Sequence, residues 1–400
     1  MQGLWKKEIE EINKSGYLNS KLSITDALIE NFYREIMKPE ERRLLQMAFE
    51  ENPSQKELDK LLNIWDIEVK GSNKSLLLSY VMKRHPKLKF TNYEGPRLVG
   101  LLKYYRFQNL KVISRFSAIG KKLNENGIIP IIFKGGLMKH LRPELPRVMG
   151  DIDIIVPNKD FIKSAKIGVG LGYEYDKIFT HSVDLHEKDS KEGVVDIHRL
   201  IYMDTGRENN FIKPLFNRAQ RASVFGVECL IPSYEDLTFI TLVNLARNLR
   251  DKTSQAGLLF SLFDCKFFIE NKPDFDWEIV KQNAKKTGTQ IQINFAIKFI
   301  DKISKNILPD TIKNNVLFEK ETNEYSNTVM YNRFYLENIR AKCRKMKLDE
   351  VLKTPAKWNE YLLFKSKYIM LKTLRNHPKL IEFFIKDLRE GSQRGIDENK

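Results

Sequence analysis

The sequence predicts an α+β fold, a small mixed β-sheet core set between helical N- and C-terminal regions. Two observations carry this. Apolar residues recur at three- and four-residue spacing through residues 1–95 and again from 232 onward, the period of an amphipathic helix. Between those regions, short apolar runs bounded by glycine and proline replace that period, and such runs read as buried strands. A 400-residue chain has room for two or three domains. The expected organisation is a helical region at 1–95, a sheet core at 96–231, a helical domain at 232–390 and a disordered tail at 391–400.

In the first region, ERRLLQMAFEE and QKELDKLLNIWDIEV are separated by Asn52-Pro53-Ser54, with Ser54 placed to cap the second helix. Gly71-Ser72-Asn73 marks the next break. A long amphipathic helix is expected from Pro96 to Asn126, stopped by Gly127. Tyr104, Tyr105 and Phe107 are expected on its core-facing side. Strands are expected at Ile128–Phe133, Ile152–Val156, Gly193–Leu200 and Ser223–Leu230, with a helix over 161–171 and an edge strand over 172–179. Pro232-Ser233-Tyr234-Glu235-Asp236 opens the next helix, with Ser233 as cap and acids in the first turn, running to about Arg250. A further helix from near Gln255 carries Leu258, Leu259, Leu262, Phe263, Phe267 and Phe268.

With 42% hydrophobic and 30% charged residues, the chain reads as globular rather than disordered. No run approaches the roughly 18 apolar residues of a membrane-spanning helix. The opening MQGLWKKEIEEINKSG has charges where a secretory leader needs an apolar segment, so a cytoplasmic location is expected. Cys229, Cys265 and Cys343 lie far apart and form no CxxC, which argues against a zinc ribbon or a disulfide framework. The net charge of +16 favours a polyanionic partner, either a nucleic acid or a phosphorylated substrate. The basic clusters at 83–89 and 340–347 read as solvated helix faces or loops.

The chemistry is concentrated in FKGGLMKHLRPELPRVMGDIDIIVP, Phe133 to Pro157. Asp151 and Asp153 head an apolar strand, and strand side chains alternate, so both point to one side. Carboxylates so placed repel and desolvate each other unless a divalent cation lies between them. Two hard cations held by carboxylates suit in-line phosphoryl transfer. Asp196, a lone acid in the apolar run VVDIH, is the candidate third ligand. Upstream, Lys134-Gly135-Gly136 follows a strand and opens a helical segment, where backbone N–H groups and the Lys134 ammonium favour a triphosphate. Arg147, four residues before Asp151, offers a fork for a phosphate or the carboxylates. His198 shares the Asp196 face and is a candidate either for contact to phosphate or acceptor or for an orienting, structural role.

This order of motifs resembles the nucleotidyltransferase superfamily that includes DNA polymerase beta. It is closer to a bacterial family of uncharacterised nucleotidyltransferases, whose members show a Lys-Gly turn, an arginine, an Asp-Ile-Asp strand and an Asp-Leu-His strand. Here these stand as Lys134-Gly135, Arg147, Asp151-Ile152-Asp153 and Asp196-Ile197-His198 over about residues 97–290. The chain departs from the pattern at Gly136, where the wider superfamily often has serine, and at Asn244, where the family often has histidine. The resemblance implies transfer of an NMP from an NTP such as ATP, with release of pyrophosphate. Asp151, Asp153 and Asp196 would bind two Mg2+ ions, or Mn2+. Lys134, Gly135, Gly136, Arg147 and His198 would bind the nucleotide. The acceptor stays open between RNA, such as a tRNA end, and a small molecule or protein. A rival of another class is a non-catalytic nucleic-acid-binding protein on the same fold.

Other residues read more plainly. His181 and His186 flank Asp184 in a stretch read as a solvated strand or loop rather than a zinc site. Arg247 and Arg250 sit where they would cap a helix C-terminus or reach over a nucleotide. Asp264 is expected to pair with Arg247 or Lys266.

Overall fold

The computed structural model describes residues 38–314, apart from 64–72, 91–93, 176–177, 180, 189–192, 202–206, 252–254 and 304–306. The helices expected beyond 314, the tail and the 340–347 cluster lie outside the described residues. Three short helices open the described chain, α1 (Pro39–Phe49), α2 (Gln55–Asn63) and α3 (Asn73–Arg84), with α1 packed on α3. The long helix α4 (Glu94–Glu125) follows and ends at Gly127, whose φ of 74° is the left-handed stop expected there.

Seven strands form one mixed sheet. In chain order they are β1 (Ile131–Ile132), β2 (Ile152–Ile155), β3 (Tyr173–Glu174), β4 (Ser182–Glu187), β5 (Gly193–His198), β6 (Gln220–Val224) and β7 (Val227–Ile231). Across the sheet they run β3-β4-β5-β2-β1-β7-β6. β2 pairs parallel with β5 and antiparallel with β1, while β1 pairs parallel with β7. Helix α5 (Lys134–Leu141) links β1 to β2 and packs on β2; α6 (Phe161–Gly170) and α7 (Asn209–Arg218) fill the later connections. Helices α8 (Tyr234–Asp251), α9 (Gln255–Glu270), α10 (Trp277–Thr287), α11 (Gln290–Ile303) and α12 (Asp310–Asn314) complete the described residues. The Asp236 amide donates to Ser233 Oγ, so Ser233 caps α8 as its position predicts. A single apolar core runs from Leu44 in α1 through β1, β2 and β5 to Ile312 in α12.

Three expectations are corrected. The strand expected at Ser223–Leu230 is a hairpin that folds back at Phe225-Gly226, both at positive φ, so the strands on either side are β6 and β7. An apolar residue in the turn hid it. The run at 182–187, read as a solvated strand or loop, is a strand, but a mostly buried one, paired between β3 and β5. Tyr104 and Phe107 stand in solvent, 56% and 60% exposed, and only Tyr105 is partly covered. The buried stripe of α4 passes through Leu98, Asn109, Val112, Phe116, Ile119 and Leu123, at alternating three and four spacing that leaves out residues 104 and 107.

Candidate active site

The parallel pairing of β2 and β5 sets Asp153 directly opposite Asp196. Neighbouring strands lie only about 4.8 Å apart, so two carboxylates in register on one face meet. His198, two residues beyond Asp196, rises on the same face. Its Nε2 lies 2.8 Å from Asp196 Oδ2 and 3.1 Å from Asp153 Oδ1. Lys134 Nζ donates to the same Asp153 oxygen. Asp184, on β4, stands in register with Asp196 from the other side, so three acids form one row across the sheet.

Burial and charge pull these groups in opposite directions. Burial alone would raise the Asp153 pKa, but the Lys134 ammonium and the His198 ring outweigh it and hold Asp153 well below the usual carboxylate range. Burial disfavours the charged form of His198, yet its bonds to Asp153 and Asp196 prevail and raise its pKa. Asp151, just ahead of β2 and half-buried, is pushed up to about 7, first by burial and then by Asp153. Lys134 opens α5 with φ at 49°, a left-handed conformation that costs a residue with a Cβ of order 1 kcal/mol or more. That strain lies at the turn facing the acids.

The structure therefore brings Lys134, Asp153, Asp196 and His198 together, with Asp151 near enough to feel Asp153. The other expected site residues have these surroundings. A Cβ on Gly136 would lie 2.8 Å from Ile152 Cγ2, so this glycine lets α5 close onto β2. At Gly135 the nearest atoms belong to the Arg147 guanidinium, 3.5 Å from where a Cβ would stand. Arg147 turns one nitrogen to Asp264, Nη1 to Oδ1 at 2.7 Å, and its guanidinium carbon lies 4.3 Å from the Phe260 ring centre. Asp264 thus pairs with Arg147 rather than with Arg247 or Lys266; Lys266 is bound to Glu270. His186 Nδ1 sits 3.1 Å from the Glu187 carbonyl, and the His181 ring lies 6.3 Å from that of His198. Asn109, unnoticed in the sequence, clamps the approach to the acids. It donates Nδ2 to the Arg147 carbonyl at 2.5 Å and accepts the Met149 amide at 2.8 Å.

These residues fit a divalent ion. One ligand atom from each of Asp153, Asp196 and His198 lies within 4.8 Å of the others. Asp196 Oδ1 is buried and has no hydrogen-bond partner among the described residues. Oxygen-rich donors with one imidazole suit Mg2+ or Mn2+ better than thiophilic metals.

With this geometry in view, the family described as "Uncharacterised nucleotidyltransferase" matches residues 76–303, more than half of the chain. The chain belongs to that family. Two solved structures align with this nucleotidyltransferase. One is the solution structure of the antibiotic-resistance factor ANT(2'')-Ia, at 12% identity and a TM-score of 0.33, covering 44% of this chain and 91% of the other. The second is the crystal structure of an antigenic nucleotidyltransferase-like protein from Paracoccidioides brasiliensis, at 14% identity and a TM-score of 0.33, covering 51% and 97%. No curated protein matches the nucleotidyltransferase. Among its described residues, no helix is long and apolar enough to cross a membrane.

Proposed function

We propose that this nucleotidyltransferase moves a nucleoside monophosphate from an NTP, ATP among them, to an acceptor hydroxyl or phosphate oxygen, with release of pyrophosphate. One observation carries the reading: Asp153 and Asp196 face each other from neighbouring parallel strands, with His198 bonded to both. Two Mg2+ ions, or Mn2+, held by Asp151, Asp153 and Asp196 would activate the acceptor oxygen and neutralise the leaving pyrophosphate. The new bond joins the acceptor oxygen to the α-phosphorus. The bond from that phosphorus to the β-bridging oxygen breaks, and its electron pair leaves with pyrophosphate. Asp196, whose Oδ1 has no partner among the described residues, takes the proton where the acceptor is a hydroxyl.

The chain's other residues bind and position. Lys134 and the amides at the start of α5, beside Gly135, favour the triphosphate. His198 is only 4% exposed, so it fixes Asp153 against Asp196 instead of reaching the nucleotide. Arg147 acts from behind Gly135 by holding the segment that enters β2. Positioning and charge neutralisation supply most of the rate. The net charge of +16 favours RNA over a small acceptor.

The test is incubation with each labelled NTP, Mg2+ and total RNA or lysate. Label should appear on one acceptor class with stoichiometric pyrophosphate, and both should vanish in Asp153→Ala. Pyrophosphate from no NTP would leave the non-catalytic binding protein as the better reading.

A further inference from the structure

We propose that the outward face of α4 is a binding surface for single-stranded nucleic acid. From Gly95 to Asn124 the chain carries seven Lys or Arg residues and no Asp or Glu. The acids of this helix, Glu94 and Glu125, stand at its two ends. A solvated helix face ordinarily mixes both signs. Arg115 is paired with Glu187 and Lys122 with Glu125, but an acid-free stretch along about 45 Å of helix, at about 1.5 Å per residue, still biases the field towards a phosphate backbone.

The same face exposes rings. Val99, Tyr104, Phe107 and Leu110 are all more than half exposed, and Lys103 and Arg106 are exposed between them. Lys103 and Arg106 have no acidic partner among the described residues. Tyr104 and Phe107, three residues apart, are neighbours on the helix surface; Lys103 and Arg106 flank them at the same spacing. An acidic protein partner would account for the cations, and an apolar one for the rings. The alternation of both is the arrangement that stacks bases on aromatic faces while cations meet the phosphates between them.

The position of the face ties it to the acids. Asn109, on the buried side of the same helix, holds the backbone of Arg147 and Met149, which leads into Asp151. The exposed rings therefore lie about one helix diameter, some 10 Å, from the segment that enters the site. A strand laid along α4 is the acceptor side of the reaction proposed above. Only that role rests on the transferase reading; the binding does not.

The experiment is fluorescence anisotropy of the full chain with a labelled 20-nucleotide strand, as RNA and as DNA of the same sequence, against a duplex. Expected is binding of the single strand over the duplex, weakening steeply between 50 and 200 mM salt. Tyr104→Ser/Phe107→Ser should lose at least tenfold in affinity at fixed salt. Lys103→Glu/Arg106→Glu should flatten the dependence of log affinity on log salt by about 1.4, two phosphates' worth. These residues are solvent-facing, so the thermal midpoints of both variants should match the parent. The RNA and DNA arms identify which strand is preferred. No binding at 50 mM salt, or either double variant binding like the parent, overturns the proposal. So does a shift from dimer to monomer in Tyr104→Ser/Phe107→Ser with strand binding intact, which would make the face a contact between copies. Asp153→Ala should keep strand binding while losing transfer. Failure of transfer thus leaves the binding result standing, and failure of binding leaves transfer to a small acceptor standing.

Discussion

Arg147 and Asp264, 117 residues apart, meet in the interior of the protein, each side chain 7% exposed, and tie the segment entering β2 to helix α9. Arg147 also lies over Phe260, one turn earlier on the same helix. The segment leading into Asp151 and Asp153 is thus anchored from the C-terminal helices as well as from Asn109 on α4.

Breaking that pair should be costly. Arg147→Ala leaves a buried carboxylate without its cation, and removing one partner of a buried pair typically costs about 3–5 kcal/mol. Arg147→Met/Asp264→Leu removes both charges and should recover most of the loss. Urea denaturation of the parent, the single and the double variants checks this. A single variant within about 1 kcal/mol of the parent would mean the pair is not a stabilising anchor.

Asp264 also sets a pH dependence. Burial pushes its carboxyl up to about 6, with Arg147 opposing. The folded state then binds more protons than the unfolded state between the ordinary carboxylate range and pH 6. Stability is greatest below about pH 4 with respect to this group and falls as pH rises through about 6, by roughly 3 kcal/mol. Asp264→Asn should flatten that stretch of the stability–pH curve. Denaturation midpoints at half-unit steps from pH 4 to 7 measure it.

The two glycines after Lys134 should behave differently. Gly136→Ala drives a methyl against Ile152 and should destabilise by about 1–3 kcal/mol. Gly135→Ala meets nothing closer than 3.5 Å and should leave stability within about 0.5 kcal/mol. The new methyl stands beside Arg147; on the proposal that this turn binds the triphosphate, KM for the NTP should rise at least several-fold. Equal stability losses at both positions would refute the division of roles.

Much of this site was legible because its residues break a local rule. Asp153 and Asp196 are lone acids in apolar strands, and a carboxylate in such a place demands a partner. The stop at Gly127 and the cap at Ser233 are local signals of the same kind. What escaped notice depends on distance or on choice of face. Nothing near Arg147 announces Asp264. Asn109 looks like any polar residue on a helix, yet its side-chain NH2 donates to the Arg147 carbonyl and its oxygen accepts the Met149 amide. Helical period shows that α4 has apolar stripes but not which one is covered, so the sequence alone does not tell Tyr104 and Phe107 from core residues. The turn at Phe225-Gly226 puts an aromatic residue at φ 53°, where Asn or Gly would have marked it.

Asp151 offers the sharpest separation of function from structure. Its carboxyl is pushed up to about 7 by burial and by Asp153. A folded pKa above the unfolded value means stability that is present below the ordinary carboxylate range and lost as pH rises through about 7. At pH 8 the ionised Asp151 therefore strains the fold. Asp151→Asn should raise the thermal midpoint there by a few degrees, and the gain should shrink towards pH 5. If Asp151 holds a divalent ion, the same substitution should lower nucleotidyl transfer by at least about a hundredfold. Millimolar Mg2+ should stabilise the parent at pH 8 more than the variant, since an ion bound only by the folded chain raises its midpoint. A structural carboxylate predicts the reverse on every count: a lower midpoint on substitution, no selective response to Mg2+ and near-normal turnover. Thermal scans at pH 5 and 8, with and without Mg2+, beside a pyrophosphate-release assay, decide between the two.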